Sequence, residues 1–268
     1  MLIMIYKDNL RKEVTPSRLL SFLNLVIMGN YTREALKSLI YPPSLTRDSN
    51  ADFNRIFNFA MDINLVAEEE HRRIGFIKNE IIKIKDNEID EDSFKKYMNR
   101  CLFYSRESLF WRITNSLIRK DASILKSKTS EDLIKLVYND VHIDREDILA
   151  WRFWAKYLGY AYNLMDEFII VNPFKYIAQL NKEILRDEKP NEEMMFGKYM
   201  TELKSRASVL EGCTNGNNVS FPISLALVTL HNNQQIELLY NKDSREIWHL
   251  ENMKLSGKDQ VSHIRIGG

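Results

Sequence analysis

The sequence predicts a mainly α-helical protein with small β-hairpin wings, built as two to three tandem units joined by helical linkers. Three observations predict it. Glycine and proline are scarce, 9 and 6 in 268 residues, which disfavours the turn-rich all-β architectures. Apolar residues recur at helical spacing over most of the chain. One arrangement, three short helices followed by two apolar strands, is written twice and, more faintly, a third time.

In the first copy Thr15-Pro16 opens a helix, since proline is tolerated in a first turn. Leu19, Leu20, Phe22, Leu23, Val26 and Ile27 continue it, and Gly29-Asn30 ends it. Thr32 caps a short second helix carrying Ala35, Leu36, Leu39 and Ile40, stopped by Pro42-Pro43. After a polar loop, Phe53, Ile56, Phe57 and Ala60 place a third helix at about Phe53–Ile63. Residues 64–67 and 73–77 read as strands of a hairpin whose polar tip is Glu68–Arg72.

The second copy has helices at Leu109–Ile118, from Ser130 through Tyr138, and from Asp144 to Leu158-Gly159. A hairpin of 160–164 and 168–171 around Met165-Asp166-Glu167 follows. Aligned on each other, Thr32 falls on Ser130, Leu36 on Ile134, Ile56 on Trp151, Ala60 on Ala155 and Ile63 on Leu158, so apolar meets apolar. A third copy near the end has helices at Phe196–Leu210 and Phe221–Leu230. Its strands, Ile236–Tyr240 and Arg245–Leu250, read as a hairpin around the turn-forming Asn241–Ser244. The acidic run Asp86–Asp92 and the charged, Pro190-broken segment Leu185–Glu193 read as linkers. The units are then 1–85, 86–184 and 185–268.

Three helices closed by a two-stranded wing is the winged form of the helix-turn-helix. The chain resembles a tandem winged-helix protein over about residues 15–78, 107–173 and 196–250. Proteins of that kind and size include accessory subunits of SMC-type ATPase complexes and components of bacterial phage- and plasmid-defence clusters, Lamassu-type systems among them. The resemblance implies a larger protein complex as partner, an SMC-like ATPase or a nuclease subunit, with double-stranded DNA as a secondary one.

Lys and Arg number 38 against 37 Asp and Glu, a formal net charge of +1. A nucleic-acid binder usually carries a basic excess, because neutralised phosphates drive its affinity. Near-neutrality therefore favours a protein partner. No apolar stretch reaches the ~18 residues of a membrane helix, and Lys7, Asp8, Arg11 and Lys12 follow the short apolar run Met1–Tyr6. A cytoplasmic protein without membrane contact is expected. Cys101 and Cys213 form no CxxC and read as small buried hydrophobes.

No catalytic motif stands out. The five histidines (His71, His142, His231, His249 and His263) pair with no His or Cys at ligand spacing. GxxxxGK[ST], GxGxxG and GxSxG are all absent. No catalytic residue, metal, cofactor or small-molecule substrate is expected, and the protein reads as a non-enzyme.

Three surfaces remain. The third helix of the first copy exposes Asn54, Arg55, Asn58 and Asp62, and Asn and Arg can read adenine and guanine edges in the major groove. The first wing carries Arg72 and Arg73 beside Glu68–Glu70, and a wing needs only positive charge to follow a phosphate backbone. In the helix through Leu158, Trp151, Trp154 and Leu158 share a core face, while Phe153 and Tyr157 point elsewhere. Two large aromatics there imply a cover, either the linking helix Phe94–Tyr104 or a partner protein. The leading expectation is a non-catalytic adaptor; the alternative is a sequence-specific DNA-binding regulator with a basic face from Arg33, Lys37, Arg47, Arg55 and Arg72.

Overall fold

The structure is a computed structural model and describes residues 11–42, 49–103, 105–127, 129–164, 168–187, 191–253 and 259–267. It is mainly α with small sheets, and it divides into two units. Unit 1 holds Met1–Ser108 with Leu149–Tyr157; unit 2 holds Leu109–Ile148 with Leu158–Gly268.

Unit 1 begins with α1 (Pro16–Met28), whose Thr15 side chain accepts from the Arg18 N–H. α2 (Arg33–Ile40) starts on the Thr32 cap, where the hydroxyl accepts from Ala35 N. α3 (Ser49–Asp62) follows, then the antiparallel pair β1 (Val66–Glu68) and β2 (Ile74–Phe76). The strand order is extended by a bridge between Thr32 and Arg73 and by Ile74 N–H donating to Tyr31 O at 2.9 Å. The core is aromatic: Phe22 meets Phe53 and Phe57 edge-on at 6.2 Å each, a favoured ring geometry.

The acidic segment Asp86–Asp92, expected as a linker, is a structured hairpin and cap. Strands β3 (Ile84–Lys85) and β4 (Glu88–Ile89) pair around Asp86 and Asn87, whose φ of 51° and 62° are those of a tight hairpin turn. Asp90 then caps α4 (Glu91–Leu102), accepting from Ser93 N at 3.0 Å. Those hydrogen bonds hold the Asp90 carboxyl below its usual range. Residues 149–157 complete unit 1: Trp151 and Trp154 are 1 % and 0 % exposed, as their shared face predicts.

Unit 2 contains α5 (Leu109–Ile118), α6 (Ser130–Val137) and the two ends of α7 (Arg145–Leu158). The α6 cap is Thr129 rather than Ser130, and it forms a reciprocal capping box with Asp132. β5 (Ala161–Leu164) and β6 (Phe168–Val171) pair antiparallel; the expected turn Met165–Glu167 lies outside the described residues. Gly159, at the end of α7, has φ +86°, and a Cβ there would sit 2.9 Å from Lys175 Cβ and 3.1 Å from Tyr176 N. Gly159→Ala should therefore cost about 1–3 kcal/mol through left-handed strain and crowding, read as a lowered urea midpoint.

The rest of unit 2 departs from expectation. α8 (Phe174–Asp187) runs into the segment taken as a linker, and β7 (Glu193–Met195) leads directly into α9 (Phe196–Arg206). After β8 (Thr214–Asn215) and β9 (Asn218–Val219) comes α10 (Phe221–Asn232), which buries residues on every side. The expected hairpin around Asn241–Ser244 does not form. β10 (Ile236–Leu239) pairs with the terminal β13 (His263–Ile266), and β13 with β7. β11 (Trp248–Leu250) pairs with β12 (Gln260–Val261) and, in parallel, with β9. The turn itself exists, with Asp243 N–H donating to Asn241 Oδ1 at 3.0 Å. Ile264 and Ile266 of β13 alternate as a buried face against β10, while the equally alternating Trp248 and Leu250 after the turn are buried in the sheet with β9 and β12.

Candidate functional site

The helix expected to read bases is α3 of unit 1, and its exposed side is already engaged within the unit. Asn54, Arg55 and Asn58 are exposed, as their period places them. Asn54 Oδ1, however, accepts from the Arg33 guanidinium at 2.9 Å, and that guanidinium also lies 4.4 Å over the Phe57 ring. Arg55 pairs with Glu13 and lies 3.8 Å from Asp52. Asn58 lines a cleft of about 220 Å³ with Arg11, Arg55, Phe59 and Asp62, below the ~300–1,000 Å³ of usual small-molecule sites. Two carboxylates facing one guanidinium leave this face with little net positive charge.

The hairpin between β1 and β2 ends in a single 3-10 turn, Glu70–Arg72. His71 and Arg72 both take left-handed backbone, φ 61° and 60°, uncommon for side chains of that size. Arg73 is held by its backbone: its carbonyl accepts from Glu69 N at 2.7 Å, and it bridges Thr32. Both arginine side chains are exposed, as are Glu68, Glu69, Glu70 and His71. The tip thus presents mixed charge on a fixed backbone. Of the scattered basic residues expected to gather into a face, Arg33 and Arg55 are engaged as described, and Lys37 donates to Asn50. Arg47 lies outside the described residues.

The two aromatics of α7 separate. Tyr157 packs edge-on to Phe94 of α4 at 6.1 Å between centroids, with Lys95 Nζ 5.1 Å from its ring. Burial pushes its hydroxyl well above the usual phenol range, with Glu91 and Asp92 adding to the effect. Of the two covers expected, the linking helix is the one that reaches Tyr157. Phe153 is 46 % exposed, a full turn away from the α4 crossing, so the linking helix does not cover it and of the two expected covers only a partner protein remains for it.

Cys101 and Cys213 are both buried, and burial raises their thiols to about 12 and about 11, so neither is a thiolate near neutrality. Among the described residues no group of three or more His, Cys, Asp or Glu stands close enough to hold a metal ion. No helix among them is long and apolar enough to cross a membrane.

Sequence reasoning missed Glu13, and it named Arg33 only for a basic face and not for the contact with α3 that it makes, because both partners lie on other parts of the chain. It also missed Asn115, whose amide donates to both Val209 O and Glu211 O at 2.8 Å. The polar triplet Thr114-Asn115-Ser116 inside an apolar helix was the available signal.

Neither a curated protein nor a solved structure matches the chain. The DpdG-like family matches residues 9–244, from ahead of α1 to beyond β10. The chain belongs to the DpdG-like family.

Proposed function

We propose that this protein is a non-catalytic adaptor of a bacterial DNA-modification and defence system, built from winged-helix units that bind protein partners. The DpdG-like family is part of such a system. Winged-helix construction is supported by the order α1, α2, α3, β1, β2, with the Thr32–Arg73 bridge between the first helices and the hairpin. The same order recurs along the chain as α5, α6, α7, β5, β6, although residues 149–157 of α7 belong to unit 1 and the other four elements to unit 2. The partner we infer is a larger ATPase or nuclease subunit acting on DNA.

The observation that carries the adaptor reading is the engaged face of α3. A helix that reads DNA must offer its donors to base edges, and phosphate contacts must be cationic. Here Arg55 faces Glu13 and Asp52, and Arg33 is turned onto Asn54 and Phe57. Breaking those contacts would oppose any gain from the groove.

A DNA-binding regulator is the second reading, and the exposed Arg72 and Arg73 favour it. Fluorescence anisotropy with a labelled duplex, at about 50 and 200 mM salt, separates the two. The adaptor reading expects binding no tighter than the ~10⁻⁴–10⁻⁶ M of non-specific contact. It also expects Arg72→Glu with Arg73→Glu to leave folding within about 0.5 kcal/mol per site. Sub-micromolar affinity whose salt slope falls by about two in the double variant would establish the regulator instead.

A further inference from the structure

Residues 149–157 of α7, the part that belongs to unit 1, have two unlike faces. Ala150, Trp151, Trp154 and Ala155 are buried and make the core side. At about 100° per residue, Leu149, Arg152, Phe153 and Lys156 fall together on the opposite side. Their spacing of i, i+3, i+4 and i+7 is that of a stripe which packs against another helix. Phe153 and Lys156 are exposed, and Leu149 and Arg152 are half-buried. Arg152 and Lys156 are the only charged residues in this segment, and neither has an ion pair or hydrogen bond among the described residues. Burial, with no carboxylate beside it, lowers the affinity of the Arg152 guanidinium for its proton. A desolvated charge without a counter-charge is unfavourable, so Arg152 destabilises the isolated chain.

We infer that this stripe is a docking surface for an acidic amphipathic helix of a partner protein. The inference rests on the adaptor reading and names the chemistry of its partner. The apolar ridge of that helix lies on Leu149 and Phe153, and its Asp or Glu residues reach Arg152 and Lys156. A carboxylate suits the guanidinium because its two oxygens accept from the planar fork as a pair. It also supplies the counter-charge that no described residue provides. Arginine and aromatic side chains are the ones enriched at protein interfaces and among their anchoring residues. Two other occupants fit worse. A second copy, paired about a two-fold axis on this stripe, brings its own Arg152 and Lys156 against these, cation on cation. A DNA backbone pairs the cations but leaves Leu149 and Phe153 without an apolar match, since phosphate contacts need only positive charge.

Arg152→Gln and Lys156→Glu test it in the full-length chain, co-expressed with the other proteins of its defence system. Both variants should melt no lower than the wild type, because neither side chain has an ion pair to lose and Arg152→Gln removes a desolvated charge. Titration of the purified partner protein by isothermal calorimetry should show Arg152→Gln weakening the complex by about tenfold or more, and Lys156→Glu by about threefold or more. Lys156→Arg, which keeps the charge, should bind as the wild type does. A complex whose affinity neither Arg152→Gln nor Lys156→Glu changes overturns this surface and leaves the adaptor reading standing. A chain that forms no complex with any of those proteins overturns both. A lowered melting temperature in Arg152→Gln shows that the guanidinium is satisfied within the chain and overturns the proposal. Duplex DNA bound at sub-micromolar affinity, and lost in Lys156→Glu, assigns the stripe to phosphate and overturns it as well.

Discussion

Trp154→Ala should remove about 3–5 kcal/mol of stability, the usual cost of truncating a buried large aromatic. The side chain is 0 % exposed and packs against Phe59 and Tyr157 with centroids 6.0 and 6.1 Å away. Its indole N–H also donates to the Val14 carbonyl at 2.9 Å, fastening α7 to the segment that enters α1. Losing that donor strands a buried carbonyl, on the order of 1 kcal/mol more. Against the ~5–15 kcal/mol that holds a whole domain, this one change should leave unit 1 barely folded. Trp154→Phe keeps most of the apolar area and should cost about 1–2 kcal/mol for the hydrogen bond. Urea unfolding followed by circular dichroism reads both; a Trp154→Ala shift of about 0.5 kcal/mol, the size of a surface change, would show that the contacts do not hold.

Asn115 should be the polar counterpart in unit 2. Its carboxamide is 6 % exposed and supplies two hydrogen bonds to carbonyls in and beside the 3-10 turn Ser208–Leu210. Asn115→Ala deletes both donors and leaves the buried Val209 carbonyl without its amide partner, about 1–3 kcal/mol for a buried unsatisfied group, with a smaller loss at the part-buried Glu211 carbonyl. Asn115→Asp should be worse at neutral pH, since an ionised carboxylate has no donor and would face two carbonyl oxygens. If the aspartate variant melts higher than the alanine one, the donor role is wrong.

Much of the helical order was legible because caps and periods are local signals. Thr15-Pro16, Thr32 and Gly29 mark helix ends within one residue of where they lie, and Leu109–Ile118 coincides with α5. The sheet of unit 2 was not legible. β7 pairs with β13, and β9 with β11 in parallel, across long stretches of chain, and strands of two to four residues carry too little alternation to name their partner. The surface shows the same division. The 3.6-residue period placed Asn54, Arg55 and Asn58 outward. It carried no information that Glu13 and Arg33 would come to meet two of them, since those pairings depend on how α1, α2 and α3 pack.

Phe153 is where a local rule fell short. Two aromatics a turn apart suggested a common cover, yet α4 crosses only at Tyr157. An exposed aromatic beside a packed one is the kind of position a partner protein can occupy. In a purified complex, Phe153→Ser should weaken association while leaving the isolated chain's melting temperature unchanged; Tyr157→Ser should lower that temperature.

The adaptor account is tested most directly by co-expressing the chain with the other proteins of its DNA-modification and defence system and measuring the mass of what purifies with it. The account predicts a stoichiometric complex that persists at about 200 mM salt, where phosphate-driven binding has largely decayed. A chain that purifies away from every one of those proteins, yet binds duplex DNA at sub-micromolar affinity with a steep salt dependence, would contradict it.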